Sequence, residues 1–233
     1  MSADRQARAA LIIPALNEES SIGRVLAEIP AGLYSQILVV DNGSTDATAA
    51  VARARGATVI SELRRGYGSA CLRGIENLDP STDVVVFMDA DSSDVPAEAA
   101  SLIEPILDNR ADLVIGSRTL GQSEPGSLAP HQRFGNRLAT FLIRAFYGHA
   151  YTDLGPFRAI RAVSLRDLGM RDRGYGWTIE MQIKALKAGL RVMEAPVSYR
   201  RRIGESKISG NLGASLTAGA KILWTVFRLA FAR

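Results

Sequence analysis

A single cysteine, Cys71, stands in a chain of 233 residues. No disulfide can form within the chain, and this scarcity suits a reducing cytoplasm. The two histidines, His131 and His149, are isolated and have no partner at metal-ligand spacing, so an imidazole-based metal centre is not expected. No apolar run approaches the ~20 residues needed to span a membrane. The stretch from Met1 to Arg8 is polar and lacks the apolar core of a signal peptide. There is no internal repeat and no low-complexity tract. Aromatic residues do not interleave the basic run Arg200-Arg201-Arg202 and no recognition motif accompanies it, which argues against nucleic acid as a partner.

What is present describes a globular chain. Hydrophobic residues make up 47% and charged residues 22%, enough to build the core of one large domain or two small ones. The net charge of +4 favours anionic partners such as phosphates or lipid head groups.

The first half alternates short apolar strands with helices. Ala10 to Ile13, Ile37 to Val40, Thr58 to Ile60, Val84 to Phe87 and Leu113 to Ile115 read as strands. Between them, Ile22, Val25, Leu26 and Ile29 share one helical face, with Asn17 or Ser20 as cap. Ala47, Ala50, Val51 and Ala54 share another, Gly66-Tyr67-Gly68 opens a third helix, and Pro96 begins a fourth. This βα alternation predicts a mostly parallel sheet covered by helices on both faces. Ligands in such sheets bind beyond the C-terminal ends of the strands, where Pro14 to Glu18, Asp41 to Ser44 and Asp89 to Asp91 bring polar groups. Asp89 and Asp91 point the same way if the strand geometry persists. Paired carboxylates repel unless a cation lies between them, and Mg²⁺ or Mn²⁺ takes such oxygens together with substrate phosphates. The plainer alternative has Asp89 capping the next helix. Gly66 and Gly68 read either as a plain turn or as a point of close backbone approach.

Three segments in this order, Leu11-Ile12-Ile13-Pro14-Ala15-Leu16-Asn17-Glu18-Glu19, Val39-Val40-Asp41-Asn42-Gly43-Ser44-Thr45-Asp46 and Met88-Asp89-Ala90-Asp91, resemble the inverting glycosyltransferases of the GT-A fold. Glu194 to Arg200, followed by Arg202-Ile203-Gly204-Glu205-Ser206-Lys207, resembles the dolichyl-phosphate and polyprenyl-phosphate sugar transferases within them. The resemblance covers nearly the whole chain. It implies a Rossmann-like, mostly parallel sheet flanked by helices over residues 1–210, with a nucleotide-sugar half in 1–118 and an acceptor half in 119–210. It implies a nucleotide pocket of Pro14, Ala15, Asn17, Glu18, Asp41, Gly68, Asp89 and Ala90. Asp89 and Asp91 would hold Mg²⁺ or Mn²⁺, Arg202 and Lys207 would meet the donor phosphates, and Arg118, Arg133, Asp153 and Glu180 would serve the acceptor. Two positions depart from the family pattern. Ser93 stands where some relatives carry a Gln of the metal site, and Arg137 where relatives often carry Ser.

Residues 119–131 form a Gly/Pro/Ser-rich loop long enough to cover a site as a lid. Phe134, Leu138, Phe141, Leu142 and Ala145 then keep helical spacing, and Asp153 to Arg158 reads as a loop entering the pocket. Glu180, in the first turn of a helix from Trp177, reads as a cap or dipole partner as well as a site group. Residues 211–233 predict an amphipathic helix. Leu212, Leu216, Gly219, Leu223, Phe227 and Ala230 form its apolar side, with Thr217, Lys221, Thr225 and Arg228 opposite. Such a helix suits a membrane interface; the alternative is docking on the protein's own core or on a second subunit. The expected activity is metal-dependent transfer of a hexose from a nucleoside-diphosphate sugar to a polyprenyl monophosphate. The expected place is the cytoplasmic face of a membrane, held peripherally. A soluble hydroxyl acceptor and a non-catalytic membrane-surface module are the other two readings.

Overall fold

The computed structural model describes residues 7–204 and 224–229. Lys207, the loop after Gly204 and most of the expected C-terminal helix lie outside the described residues. Seven strands form one sheet in the order β3-β2-β1-β4-β6-β5-β7. They are β1 Ala9–Ala15, β2 Gln36–Asp41, β3 Thr58–Ser61, β4 Val84–Phe87, β5 Leu113–Ser117, β6 Arg158–Arg161 and β7 Val192–Pro196. All pair in parallel except β6, which runs antiparallel to both β4 and β5. Pro14 sits inside β1 rather than ending it.

The apolar runs explain the layering. Val85 and Phe87 of β4 face one core while Val84, Val86 and Met88 face the other, the period-two alternation of a strand buried on both sides. Helices α1 (Ile22–Ala27), α2 (Thr48–Ala54) and α4 (Ala99–Leu107) bury their apolar stripes in the second core. On the opposite face pack α3 (Tyr67–Glu76), α5 (Pro130–Tyr147), α6 (Ala162–Leu168) and α7 (Trp177–Lys187). Ser21 occupies the cap position of α1, its hydroxyl turned to Glu18 rather than to the helix amides, so neither Asn17 nor Ser20 caps it.

Register aligns the site. Ala15 pairs with Asp41, which pairs with Ser61, so three strands end level. Because β6 runs the other way, its first residue Arg158 lies level with Phe87 and Ile115. The loop that precedes β6 therefore reaches the edge that the other strands reach with the loops following them.

The helical spacing expected after residue 131 is found in α5, but its buried face is one the spacing did not specify, and the C-terminal segment departs from expectation. Helix α5 buries Ala139 and Ile143, whereas Phe134 and Phe141 are 69% and 65% exposed. Its stripe of Phe134, Arg137, Phe141 and Arg144 faces outward. Segment 224–229 is helical and docks on the protein, with Thr225, Val226 and Leu229 buried. Tyr147 donates to the Val226 carbonyl at 2.9 Å, and Lys187 donates to that of Leu229 at 3.0 Å. Thr225, expected on a polar stripe, abuts the backbone at Gly176 instead. Trp224 and Phe227 stay exposed.

Candidate active site

Two cavities open along the C-terminal edge of the sheet, and they share Tyr67, Asp89 and Tyr175. The smaller, about 350 Å³, lies over β1 and β4 and is lined by Pro14, Ala15, Glu18, Asp89, Ala90 and Asp91, as the sequence suggested. Asn42, Arg65 and Arg202 complete its polar wall. Asp41 and Asn17 do not line it. Asp41 accepts from the Ser44 amide at 3.1 Å, and Asn17 accepts from the Thr45 amide at 2.8 Å, so both build the 42–46 turn. Neighbouring Asn42 reaches inward, donating to the carbonyls of Glu62 and Arg64 and accepting from the Gly66 amide. Gly68 serves protein packing: a Cβ there would lie 2.1 Å from the Asp172 carbonyl oxygen.

The Asp89-Ala90-Asp91 stretch leaves the strand at Phe87, yet both carboxylates reach the smaller cavity. Ser93 donates through its amide (2.9 Å) and its hydroxyl to Asp91 Oδ1. Arg202 Nη2 stands 3.3 Å from Asp91 Oδ2 and 3.4 Å from Glu18 Oε1. Burial first, and then the charge of Asp91, pushes the Asp89 carboxyl up to about 7. Asp94 is also buried and well above the usual carboxylate range, for burial and for the charges of Asp89 and Asp91. Its Oδ2 accepts from the Asp89 amide at 3.2 Å, and its Oδ1 is buried without a partner. Among the described residues no set of three or more His, Cys, Asp or Glu side chains is arranged to hold a metal ion alone. Asp89 and Asp91, open to the cavity and with Arg202 as the guanidinium that offsets their charge there, do fit a hard cation whose remaining ligands come from a diphosphate.

The basic run divides. Arg200 pairs with Glu28 at 2.7 Å, and Arg201 donates to the Pro125 carbonyl, so only Arg202 enters the site. Backbone contacts from Arg200 to the Ser93 carbonyl and from Ile203 to the Asp91 carbonyl press this strand end onto the acidic turn.

The larger cavity, about 600 Å³, is walled by the 118–128 loop, the first turns of α5 and the 152–156 loop. Arg118 and Asp153 both line it but are locked together through two 2.7 Å bonds. Burial opposes the Arg118 charge, and Asp153 more than offsets this, raising its pKa. Arg118 also lies 4.9 Å from the Tyr199 ring centroid. Arg133 and Arg137, one helical turn apart on α5, line the same cavity with His131. Glu180 is elsewhere. It is buried beneath the 171–174 loop, accepting from the amides of Arg171 and Asp172 and pairing with Lys184 at 2.9 Å. The expected lid is tied down: Glu124 donates its amide to Tyr199, and Tyr199 returns its own to Gln122. Asn42 lies in the polar strand end at 41–44 and Tyr67 between the two glycines, but the sequence pattern singles out neither as a lining residue, and nothing in it marks Arg65 or Tyr175.

A mostly parallel sheet with an acidic turn at the end of its central strand, facing paired cavities, is the architecture of a GT-A glycosyltransferase. The chain belongs to glycosyl transferase family 2, whose model matches residues 10–169. It is 41% identical to an uncharacterised glycosyltransferase of Mycobacterium tuberculosis, over 89% of this chain and 93% of that one. It is 33% identical to the undecaprenyl-phosphate mannosyltransferase of Micrococcus luteus, over 88% of this chain and 89% of the relative. Among solved structures it is similar to glucosyl-3-phosphoglycerate synthase of M. tuberculosis in complex with Mn²⁺, uridine diphosphate and glucosyl-3-phosphoglycerate. That likeness has a TM-score of 0.78 and 24% identity, and covers 98% of this chain and 81% of that one. At that identity it carries the fold.

Proposed function

We propose that this enzyme transfers a hexosyl group, with inversion, from a nucleoside-diphosphate sugar of the UDP-glucose or GDP-mannose type to a polyprenyl or dolichyl monophosphate at a membrane surface. The smaller cavity takes the donor and the larger one the acceptor, so the hexose crosses at Asp89. Asp89 and Asp91 would hold Mg²⁺ or Mn²⁺, which supplies Lewis-acid neutralisation of the departing diphosphate. Arg202 stands beside them, where its charge meets that of the same leaving group.

The observation that carries the reading is the state of the acids and bases around the larger cavity. A hydroxyl acceptor needs a general base. Asp153 is engaged by Arg118, Glu180 is buried away from the cavity, and Asp89 belongs to the acidic turn, which leaves His131 on the cavity wall as the one side chain among the described residues to test as a base. A phosphate monoester, with a second pKa of about 6, is already anionic at neutral pH and needs no base. Arg133 and Arg137 offer it two guanidinium groups on one side of α5. Like charges one turn apart destabilise a helix, and a bound dianion relieves that repulsion. The relative named as an undecaprenyl-phosphate mannosyltransferase supports the same acceptor class. The membrane surface is supported by Phe134, Phe141, Phe146, Trp224 and Phe227, all exposed along α5 and the segment docked on its end.

The test is radiolabelled transfer from UDP-glucose and from GDP-mannose to a short-chain polyprenyl phosphate. One pairing should give a lipid-linked product, abolished by EDTA and restored by Mn²⁺. His131→Ala should stay within a few-fold of wild type, far from the ~10²–10⁴-fold loss of a deleted general base. An inactive His131→Ala enzyme that still binds donor favours a hydroxyl acceptor, and activity that survives EDTA removes the metal from the mechanism.

A further inference from the structure

Tyr67 stands at the partition between the two cavities with Asp89 and Tyr175. It is the first residue of α3, reached through Gly66 at a φ of +136°. Its ring is held from the core side. It packs edge-on against Trp177 at 6.1 Å between centroids, and Trp177 packs edge-on against Phe87 at 4.6 Å. Phe87 closes β4, two residues before Asp89, so the strand that delivers the carboxylate also fixes the phenol beside it.

The hydroxyl of Tyr67 is buried and completes no hydrogen bond of good geometry, although it stands near enough to the Asp89 carboxylate to ease its charge. A buried O–H without an acceptor costs folding free energy, and phenylalanine would fill the same space without that cost. Folding gives no reason for the oxygen. Its neighbour is Asp89, whose charge burial and Asp91 oppose while Arg202, and after it the Tyr67 hydroxyl, ease it. The two aspartates differ in support: Asp91 is fixed by Ser93 and Arg202, and Asp89 is tethered through its backbone amide to Asp94. A carboxylate that ligates a metal is normally oriented by a donor on its other oxygen.

We propose that Tyr67 is the positioning residue of the metal site, its hydroxyl donating a hydrogen bond to the Asp89 carboxylate when a divalent cation and the donor diphosphate are bound. The bond directs one Asp89 oxygen toward the cation and keeps the other toward the phenol. This rests on the metal-dependent reading above, but not on the identity of the acceptor. It also gives the buried hydroxyl a well-formed bond in the loaded state, to the carboxylate it already adjoins.

Mn²⁺ binding, read by the electron paramagnetic resonance of the free ion, tests it directly, with parallel titrations in the presence of UDP and of GDP. Wild type and Tyr67→Phe are compared, each also melted in EDTA. Tyr67→Phe should bind Mn²⁺ about 10–100-fold more weakly, the usual range for loss of a group that orients a metal ligand. Its metal-free melting temperature should equal or exceed that of wild type. Mn²⁺ affinity within about twofold of wild type overturns the proposal, including the case where only the kinetic preference among donor sugars changes. A lowered metal-free melting temperature also overturns it, since the oxygen would then serve the fold. If wild type binds no Mn²⁺ with either nucleotide, the metal reading itself falls and takes this role with it.

Discussion

Asp89 carries a charge that the metal-free fold disfavours. Its pKa of about 7 lies well above the ordinary ~3.9 of an aspartate. Between those values the folded state binds a proton that the unfolded chain releases, so stability falls as pH rises from about 4 through about 7. Above that range the penalty is complete. Asp89→Asn should therefore melt above wild type in EDTA at pH 8, at about 2–4 °C for each kcal/mol relieved. The gap should close as pH falls toward 4, and turnover should be lost at every pH. Calorimetric melts across that range check the sign. The Asp-Ala-Asp turn was legible because an apolar strand running into two acids has few other uses. Its details were not. Whether Asp41 or Asn42 faces the cavity is decided by a turn in which Asp41 is consumed by the Ser44 amide. Glu180 has the position of a helix-start acid, and its neighbours across the 171–172 loop are distant in sequence pattern though close in space.

Among elements, α3 and the 172–174 loop depend on each other. Gly66 and Gly68 let the carbonyls of Arg173 and Asp172 approach so closely that a Cβ would stand 2.1 Å from either oxygen. Glu180 holds the same loop from beneath. Gly68→Ala should push that loop outward, costing about 1–3 kcal/mol as an overpacked contact. It should also weaken nucleotide binding if the smaller cavity takes the donor as proposed, because Gly174 and Tyr175 line that cavity. Urea unfolding paired with nucleotide titration separates the two effects; unchanged binding would detach the loop from the site. Strands β1 to β5 were readable as apolar runs bounded by turn residues. Strand β6 was not, because Arg158-Ala159-Ile160-Arg161 begins and ends in charge. Arg158 is nonetheless fully buried, donating to the Thr178 carbonyl at 2.9 Å and to that of Gly155. A pattern rule that places arginine outside cannot find such a strand.

At the scale of the whole molecule, the larger cavity and the exposed aromatic stripe share α5. Phe134→Ser with Phe141→Ser removes two exposed rings without touching the core, so the melting temperature should stay within about 1 °C, as for surface substitutions generally. Co-sedimentation with phosphatidylglycerol vesicles at low salt should fall several-fold, since both rings would otherwise enter the interface. Retention equal to wild type would move the contact to another face. The C-terminal helix was readable as amphipathic, but periodicity does not say what an apolar face meets. For 224–229 the structure answers with the protein's own core.

The reversed strand β6 has a consequence for synthesis. As the chain leaves the ribosome, β4 and β5 emerge first, yet their neighbour in the finished sheet is residues 158–161. Until those four residues arrive, some forty residues after β5, β4 and β5 have no pairing with each other to fall back on. The nascent half-sheet of β1 to β4 must wait with an open apolar edge. The segment that fills this gap also sets the preceding 153–157 loop, so one wall of the larger cavity takes shape as β4 and β5 are bridged.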